Sequence, residues 1–250
     1  MTEAGAAVRI ELLGRFRCTV SDEPQQLPVA CQRLLAFLAV HDRPLKRTFV
    51  AGNLWLDKDE ARATANLRSA LWRLSSRSDR LVVSNRTSVA LDESVVLDLR
   101  SLSSVAYRLV NGGRPSATAG PEPVGDLHGV DELRLLSHDL LPDWYDDWLV
   151  FERERLRQLR LNALDHLSGA LLVAGRLPLA MEAAYASITA EPLRESAHRA
   201  LIVALLAAGN RWEALRQYER FGELLADALG LRPSGDLRTL VERALQPSAP

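Results

Sequence analysis

Glu60-Ala61-Arg62-Ala63-Thr64-Ala65-Asn66-Leu67-Arg68-Ser69-Ala70-Leu71-Trp72-Arg73-Leu74-Ser75-Ser76 decides how this chain reads. Ala63, Leu67, Ala70, Leu71 and Leu74 recur at spacings of three and four, which predicts a helix over about 60–76 with one apolar face. At about 100° per residue, Arg62, Ala65, Asn66, Ser69, Trp72 and Arg73 fall on the opposite face, with Arg68 flanking it. The acids of Asp57-Lys58-Asp59-Glu60 stand where a helix N-terminus favours negative charge. Downstream, Leu81-Val82-Val83, Ser84-Asn85-Arg86-Thr87 and Ser88-Val89-Ala90-Leu91 read as a β-hairpin with Arg86 at its tip.

Working outward, Val8 to Leu12 alternates with period two, Gly14 interrupts it, and Phe16 to Val20 resumes it, so two strands open the chain. Leu34, Leu35, Phe37, Leu38 and Ala39 predict a buried helix that stops before Arg43-Pro44. Thr48 is read as the N-cap of a short helix from Phe49 to Trp55. A further helix is expected over about 100–110. The order strand, strand, helix, helix, helix, hairpin is that of a winged helix, whose third helix enters the major groove while the hairpin tip reaches the minor groove or backbone. Only the outward face of that helix can touch bases, which singles out Arg62, Asn66, Ser69, Trp72 and Arg73. Asn suits adenine and Arg suits guanine or phosphate. Trp72 has two readings: a core residue, or a solvent-facing ring that needs a thymine methyl, a sugar or a protein surface as partner. Trp55 is expected in the core.

Charge agrees with this without deciding it. The net charge is −1, yet residues 1–100 carry 15 Lys and Arg against 12 Asp and Glu. Between 62 and 86 stand six arginines (Arg62, Arg68, Arg73, Arg77, Arg80 and Arg86) against one acid, Asp79. Such an excess suits a phosphate-facing patch, and a solvated helix face reads the same way. Lys46 and Lys58 are the only lysines, so the positive charge is almost all arginine, which pairs bidentately with phosphate or guanine.

Further along, Asn111 to Asp126 holds Gly112, Gly113, Pro115, Gly120, Pro121, Pro123 and Gly125, a density of breakers that predicts a linker. Everything after Pro142 reads as helix, with Asp143-Trp144-Tyr145-Asp146-Asp147-Trp148 opening a long one that runs to about Gly175. An internal repeat follows. Leu171-Leu172-Val173-Ala174-Gly175-Arg176 aligns with Leu205-Leu206-Ala207-Ala208-Gly209-Asn210 at an offset of 34, and Leu167, Ala180 and Ala184 align with Leu201, Ala214 and Tyr218. A helix–turn–helix period of about 34 is that of tetratricopeptide repeats. The fold class expected is therefore two-domain: an α+β winged helix-turn-helix followed by an all-α, tetratricopeptide-like repeat domain. The boundaries read as 1–112 for the DNA-binding domain, 113–142 for the linker and entry to the second domain, and 143–250 for the helical domain.

These motifs resemble the Streptomyces antibiotic regulatory protein family, which joins an OmpR-like winged helix to a bacterial transcriptional activator domain. The resemblance rests on Ile10 to Gly14, on Ala63 to Leu74, on Val95 to Asp98 and, most specifically, on Asp139-Leu140-Leu141-Pro142-Asp143-Trp144-Tyr145-Asp146-Asp147-Trp148 with Glu152 to Arg157. It implies an activator of secondary-metabolite genes that binds repeats in double-stranded promoter DNA and recruits RNA polymerase holoenzyme; a homodimer on DNA is compatible with it. Arg73 stands where the family usually has arginine in its recognition helix, whereas Trp72 stands where the family more commonly has a small polar residue. The DNA-binding residues expected are thus Arg62, Asn66, Arg68, Ser69, Trp72, Arg73, Arg77 and Arg86.

Other classes find little support. The five histidines form neither HExxH nor a zinc spacing with Cys18 or Cys31, and no GxxxxGK[ST] occurs, so no catalytic residue, metal or cofactor is expected. Two separated cysteines, no visible signal peptide in Met1–Ala7 and no apolar run longer than Leu201–Ala208 suit a cytoplasmic, nucleoid-associated protein without a membrane span. The rival is a protein-interaction adaptor whose repeats bind peptide and whose N-terminal domain binds DNA weakly or not at all.

Overall fold

In a computed structural model of the chain, residues 7–78, 80–111 and 129–246 are described. The breaker-rich stretch read as a linker, Asn111 to Asp126, lies outside those residues from position 112 on. Elements follow in the order β1 (Val8–Glu11), β2 (Arg17–Val20), β3 (Glu23–Pro24), α1 (Val29–His41), β4 (Leu45–Lys46), α2 (Arg47–Leu54), α3 (Glu60–Ser75), β5 (Val82–Ser84), β6 (Ser88–Leu91) and β7 (Val96–Leu97). The helices α4 (Asp98–Val110), α5 (Val130–Leu136), α6 (Asp147–Val173), α7 (Leu177–Ala190), α8 (Glu195–Ala207), α9 (Arg211–Leu229) and α10 (Gly235–Leu245) complete it. By contacts the chain falls into two compact units, one of Met1–Ser101 with His138–Arg155 and one of Leu102–Ser137 with Leu156–Pro250.

In the first unit the period-two alternation puts Val8, Ile10 and Leu12 into the core. β1 pairs antiparallel with β2 and parallel with β7, giving a sheet in the order β3-β2-β1-β7. A second sheet, β4-β6-β5, carries the expected hairpin. Helix α1 is buried continuously from Leu34 to Val40, because an apolar run with no polar face can only be a central helix. It ends one residue before Arg43-Pro44 in a left-handed Asp42, whose carboxylate takes both arms of Arg100 at 2.8 and 2.6 Å. Asp98 Oδ2 accepts the Leu12 and Leu13 amides at 2.8 Å each, fixing the start of α4 to the end of β1.

Two local expectations need correction. Thr48 is not an N-cap: α2 begins at Arg47, with Lys46 in the cap position. Leu45 and Lys46 pair with Val89 and Ser88, and the Arg47 amide donates to the Thr87 carbonyl at 3.0 Å, so strand pairing does the work a capping side chain would have done. Nor does the long helix open at Asp143. Residues 143–146 are irregular, and α6 starts at Asp147. The segment before it belongs with the first unit: Leu140 bridges to Leu13, the Gly14 amide donates to the Asp139 carbonyl at 2.7 Å, and the Leu141 amide donates to the Leu12 carbonyl at 2.9 Å. Trp144 stacks on Phe16 at 5.8 Å and Asp146 pairs with Arg33 at 2.5 Å, so tertiary contacts hold these residues out of the helix that the local pattern favoured. Arg153 then donates to the carbonyls of Leu140, Leu141 and Trp144, tying the start of α6 back to this segment.

The second unit carries the repeat. α6 and α8 end 34 residues apart, and each closes with the same pair of bonds. The Gly175 amide donates to Leu172 and Arg176 to Leu171, just as Gly209 donates to Leu206 and Asn210 to Leu205. Gly175 and Gly209 stand at φ of 71° and 79°, the left-handed conformation that closes a helix in this way and that glycine adopts without steric cost. Ala180, Ala184 and Ala214, the small residues of the repeat, are all buried. Ala214→Leu should therefore overpack the core formed with Leu201, Phe221 and Leu237 and destabilise the unit by about 1–3 kcal/mol, read as a lowered urea midpoint.

Candidate nucleic-acid interface

Helix α3 is set by its cap and its buried stripe. The Asp59 carboxylate accepts the Arg62 amide at 2.8 Å, a capping bond that also places negative charge at the positive end of the helix. Ala63, Leu67, Ala70 and Leu74 are buried and Leu71 is half-buried, which fixes the rotation of the helix about its axis. Arg62, Arg68, Ser69, Trp72 and Arg73 are then exposed, whereas Asn66 is half-buried at the border of the face. Trp72 stands 72% exposed, which decides between its two readings: it is not a core residue. Trp55, by contrast, is buried, as expected.

At about 100° per residue, Trp72 lies diametrically opposite the buried stripe, Arg68 lies on one flank, and Arg62 and Arg73 lie on the other. The field of Arg73 opposes the upward push that burial gives the Cys31 thiol of α1. Arg62 reaches back to Asp59 at 3.4 Å, an exposed pair that holds it only weakly. The Ser69 hydroxyl donates to the Ala65 carbonyl at 3.0 Å, Ser75 to Trp72 at 2.9 Å and Ser76 to Arg73 at 2.8 Å. Those hydroxyl protons are spent within the helix.

The hairpin tip is built rather than loose. Asn85 Oδ1 accepts the Thr87 amide at 2.9 Å, the Thr87 hydroxyl at 3.1 Å and the Ser88 amide at 2.8 Å, and this turn holds Arg86 outward and exposed. Between the hairpin and α3 lies an open cleft of about 290 Å³ lined by Arg47, Arg68, Leu71, Trp72, Ser75, Ser78, Val82 and Ser84. Two guanidinium groups and the hydroxyls of Ser78 and Ser84 in one cleft suit an anionic oxygen-rich ligand such as a phosphodiester, the Ser75 proton being already given to Trp72. Arg47, which also donates to the Asn85 carbonyl at 3.2 Å, is a residue the sequence reading missed. Its signal, a basic pair Lys46-Arg47 at the start of α2, means nothing until β4 brings it against β6. Arg77, exposed in the turn after α3, is not among the residues lining the cleft.

Among the described residues, no group of three or more His, Cys, Asp or Glu side chains is placed to hold a metal ion, and no helix is long and apolar enough to cross a membrane.

A family model described as the bacterial transcriptional activator domain matches residues 108–245. The chain is 31% identical over 255 residues to the regulatory protein AfsR of Streptomyces coelicolor, an alignment that covers 98% of this chain and 25% of that protein. To the regulatory protein AfsR of Streptomyces griseus it is 28% identical over 252 residues, covering 96% of this chain and again 25% of the relative. It thus spans about a quarter of the length of these curated relatives. The solved structure of Mycobacterium tuberculosis EmbR in complex with a low affinity phosphopeptide superposes with a TM-score of 0.67 at 22% identity, covering 98% of this chain and 67% of that one. That likeness is one of fold, and it bears out a mixed α/β region followed by a helical one.

Proposed function

Since the chain belongs to the bacterial transcriptional activator domain family, we propose that it is a sequence-specific DNA-binding transcriptional regulator whose α3 lies in the major groove and whose hairpin tip follows the backbone or the minor groove. The observation that carries this reading is the outward face of α3, arginine on both flanks, set beside a second cluster of arginine and hydroxyls under the hairpin. In its finer form the protein activates a secondary-metabolite pathway by binding promoter repeats and recruiting RNA polymerase, with a homodimer on the repeats as the natural way to occupy two of them. The roles divide as DNA binding within 1–112, linkage over 113–142 and activation within 143–250, although by contacts His138–Arg155 packs with the N-terminal unit.

Electrophoretic mobility shifts with purified protein on its own promoter regions test this. Binding should weaken steeply as salt rises, because each neutralised phosphate releases a counterion. Arg86→Ala should weaken binding almost equally on all sequences and lower the salt slope by about one. Arg73→Ala should cost about 1–3 kcal/mol and relax specificity at one position if it reads a base; an equal loss on every sequence assigns it to the backbone. Absence of any shift at low salt would leave the protein-interaction adaptor as the better reading.

A further inference from the structure

The geometry points to Trp72 as the residue that reads a thymine, through its C5-methyl group, at the base pair facing the middle of α3; this rests on the DNA-binding reading above. A helix seated in the major groove turns its two flanks toward the two phosphate strands and its centre line toward the base edges. On α3 the flanks carry the charge, Arg68 on the cleft side and Arg62 and Arg73 on the other. The centre line carries Trp72, 72% exposed and directly opposite the buried stripe of Ala63, Leu67, Ala70 and Leu74. The serines one turn away are poor donors to bases, since Ser69 and Ser76 already give their hydroxyl protons to the Ala65 and Arg73 carbonyls.

The ring itself decides which base it takes. An indole offers one N–H donor and no acceptor, so it cannot form the bidentate pairs by which Arg reads guanine and Asn reads adenine. What it offers is a broad apolar surface, and the largest apolar group on the major-groove edge of any base is the thymine methyl, where cytosine has only a C5–H. Cytosine and the purines would set desolvated polar atoms against the ring, so they are rejected as well as unrewarded.

The test uses the full chain and duplexes selected by it from a random-sequence library. Each thymine in a bound duplex is replaced singly by deoxyuridine, which removes only the methyl group. One position should lose about fourfold in affinity for the parent protein, the equivalent of one buried methyl. Trp72→Ser, an exposed change checked for an unchanged melting curve, should bind the parent and uracil duplexes equally, and re-selection with it should lose the preference for thymine there. Bound duplexes indifferent to uracil at every position overturn the inference while leaving DNA binding intact, and so does a uracil penalty that persists in Trp72→Ser. If no duplex is selected at all, the DNA-binding reading falls and takes this inference with it.

Discussion

Phe221→Ala is expected to lower the unfolding free energy of the helical unit by about 3–5 kcal/mol, the usual cost of deleting a fully buried phenyl ring. Phe221 is 0% exposed in a core formed with Ala184, Leu201, Ile202, Ala214 and Leu237. Its ring also stacks on His198 with centroids 4.0 Å apart. His198 is itself buried, with one ring nitrogen 2.9 Å from the Pro192 carbonyl and the other 2.8 Å from the Gln217 amide nitrogen. That arrangement suits a neutral ring that donates to Pro192 and accepts from Gln217. Loss of the phenyl face therefore opens a cavity and also wets a histidine held between two polar partners. Thermal and urea unfolding of Phe221→Ala against the parent protein measures the loss; a change below about 1 kcal/mol would show that the core collapses around the gap.

The same histidine makes stability depend on pH. Burial holds its pKa below the ordinary value of 6.5, so as pH falls the unfolded chain takes up the proton before the folded one does. The sign follows: the contribution is fully present above pH 6.5 and is lost progressively below it, down through the depressed folded value. Melting curves taken between pH 7.5 and 5.5 should show the helical unit weakening on acidification. His198→Gln should flatten that dependence, and a slope unchanged by the substitution would assign it to other groups.

Phe37→Ala carries the second large effect, again about 3–5 kcal/mol, in the N-terminal unit. Phe37 is 1% exposed at the centre of an aromatic cluster, with ring centroids 4.3 Å from His41, 5.9 Å from Phe49 and, edge to face, 5.1 Å from Trp148. Those partners come from α1, α2 and the start of α6, so a single ring joins the winged-helix core to a segment more than a hundred residues further on. Urea unfolding followed by tryptophan fluorescence should report the loss, and specific DNA binding should fall at temperatures where the unit melts. A double-mutant cycle of Phe37→Ala with Trp148→Ala should show coupling of about 0.5–1.5 kcal/mol beyond the area each buries, as aromatic pairs do. Strict additivity would reduce the contact to simple proximity.

Periodicity alone located α3, the hairpin from Val82 to Leu91 and the 34-residue repeat, because each is written in residues close in sequence. A helix with four buried positions at spacings of three and four turns the same way whatever surrounds it, so the outward arginines were legible before any packing was known. The glycines at 175 and 209 were legible for the same reason: helix ends that need a left-handed residue mark themselves locally. The order of fold classes followed from these signals.

Tertiary structure alone decided where Asp139 to Trp148 goes. Its acidic, aromatic pattern resembles a helix start, and nothing local reveals that Arg33, Phe16, Leu12 and Gly14 are waiting for it. Backbone pairing across such separations depends on which surfaces the rest of the fold leaves unsatisfied, and a sequence window cannot contain that information. Arg47 entered the cleft by the same route, through the pairing of β4 with β6. Trp72 marks the border between the two kinds of knowledge. Its angle on α3 could be read from the sequence, but whether a partner covered it could not, because burial belongs to the neighbouring surface rather than to the residue; the fold leaves it bare at the centre of the face that the sequence had already singled out.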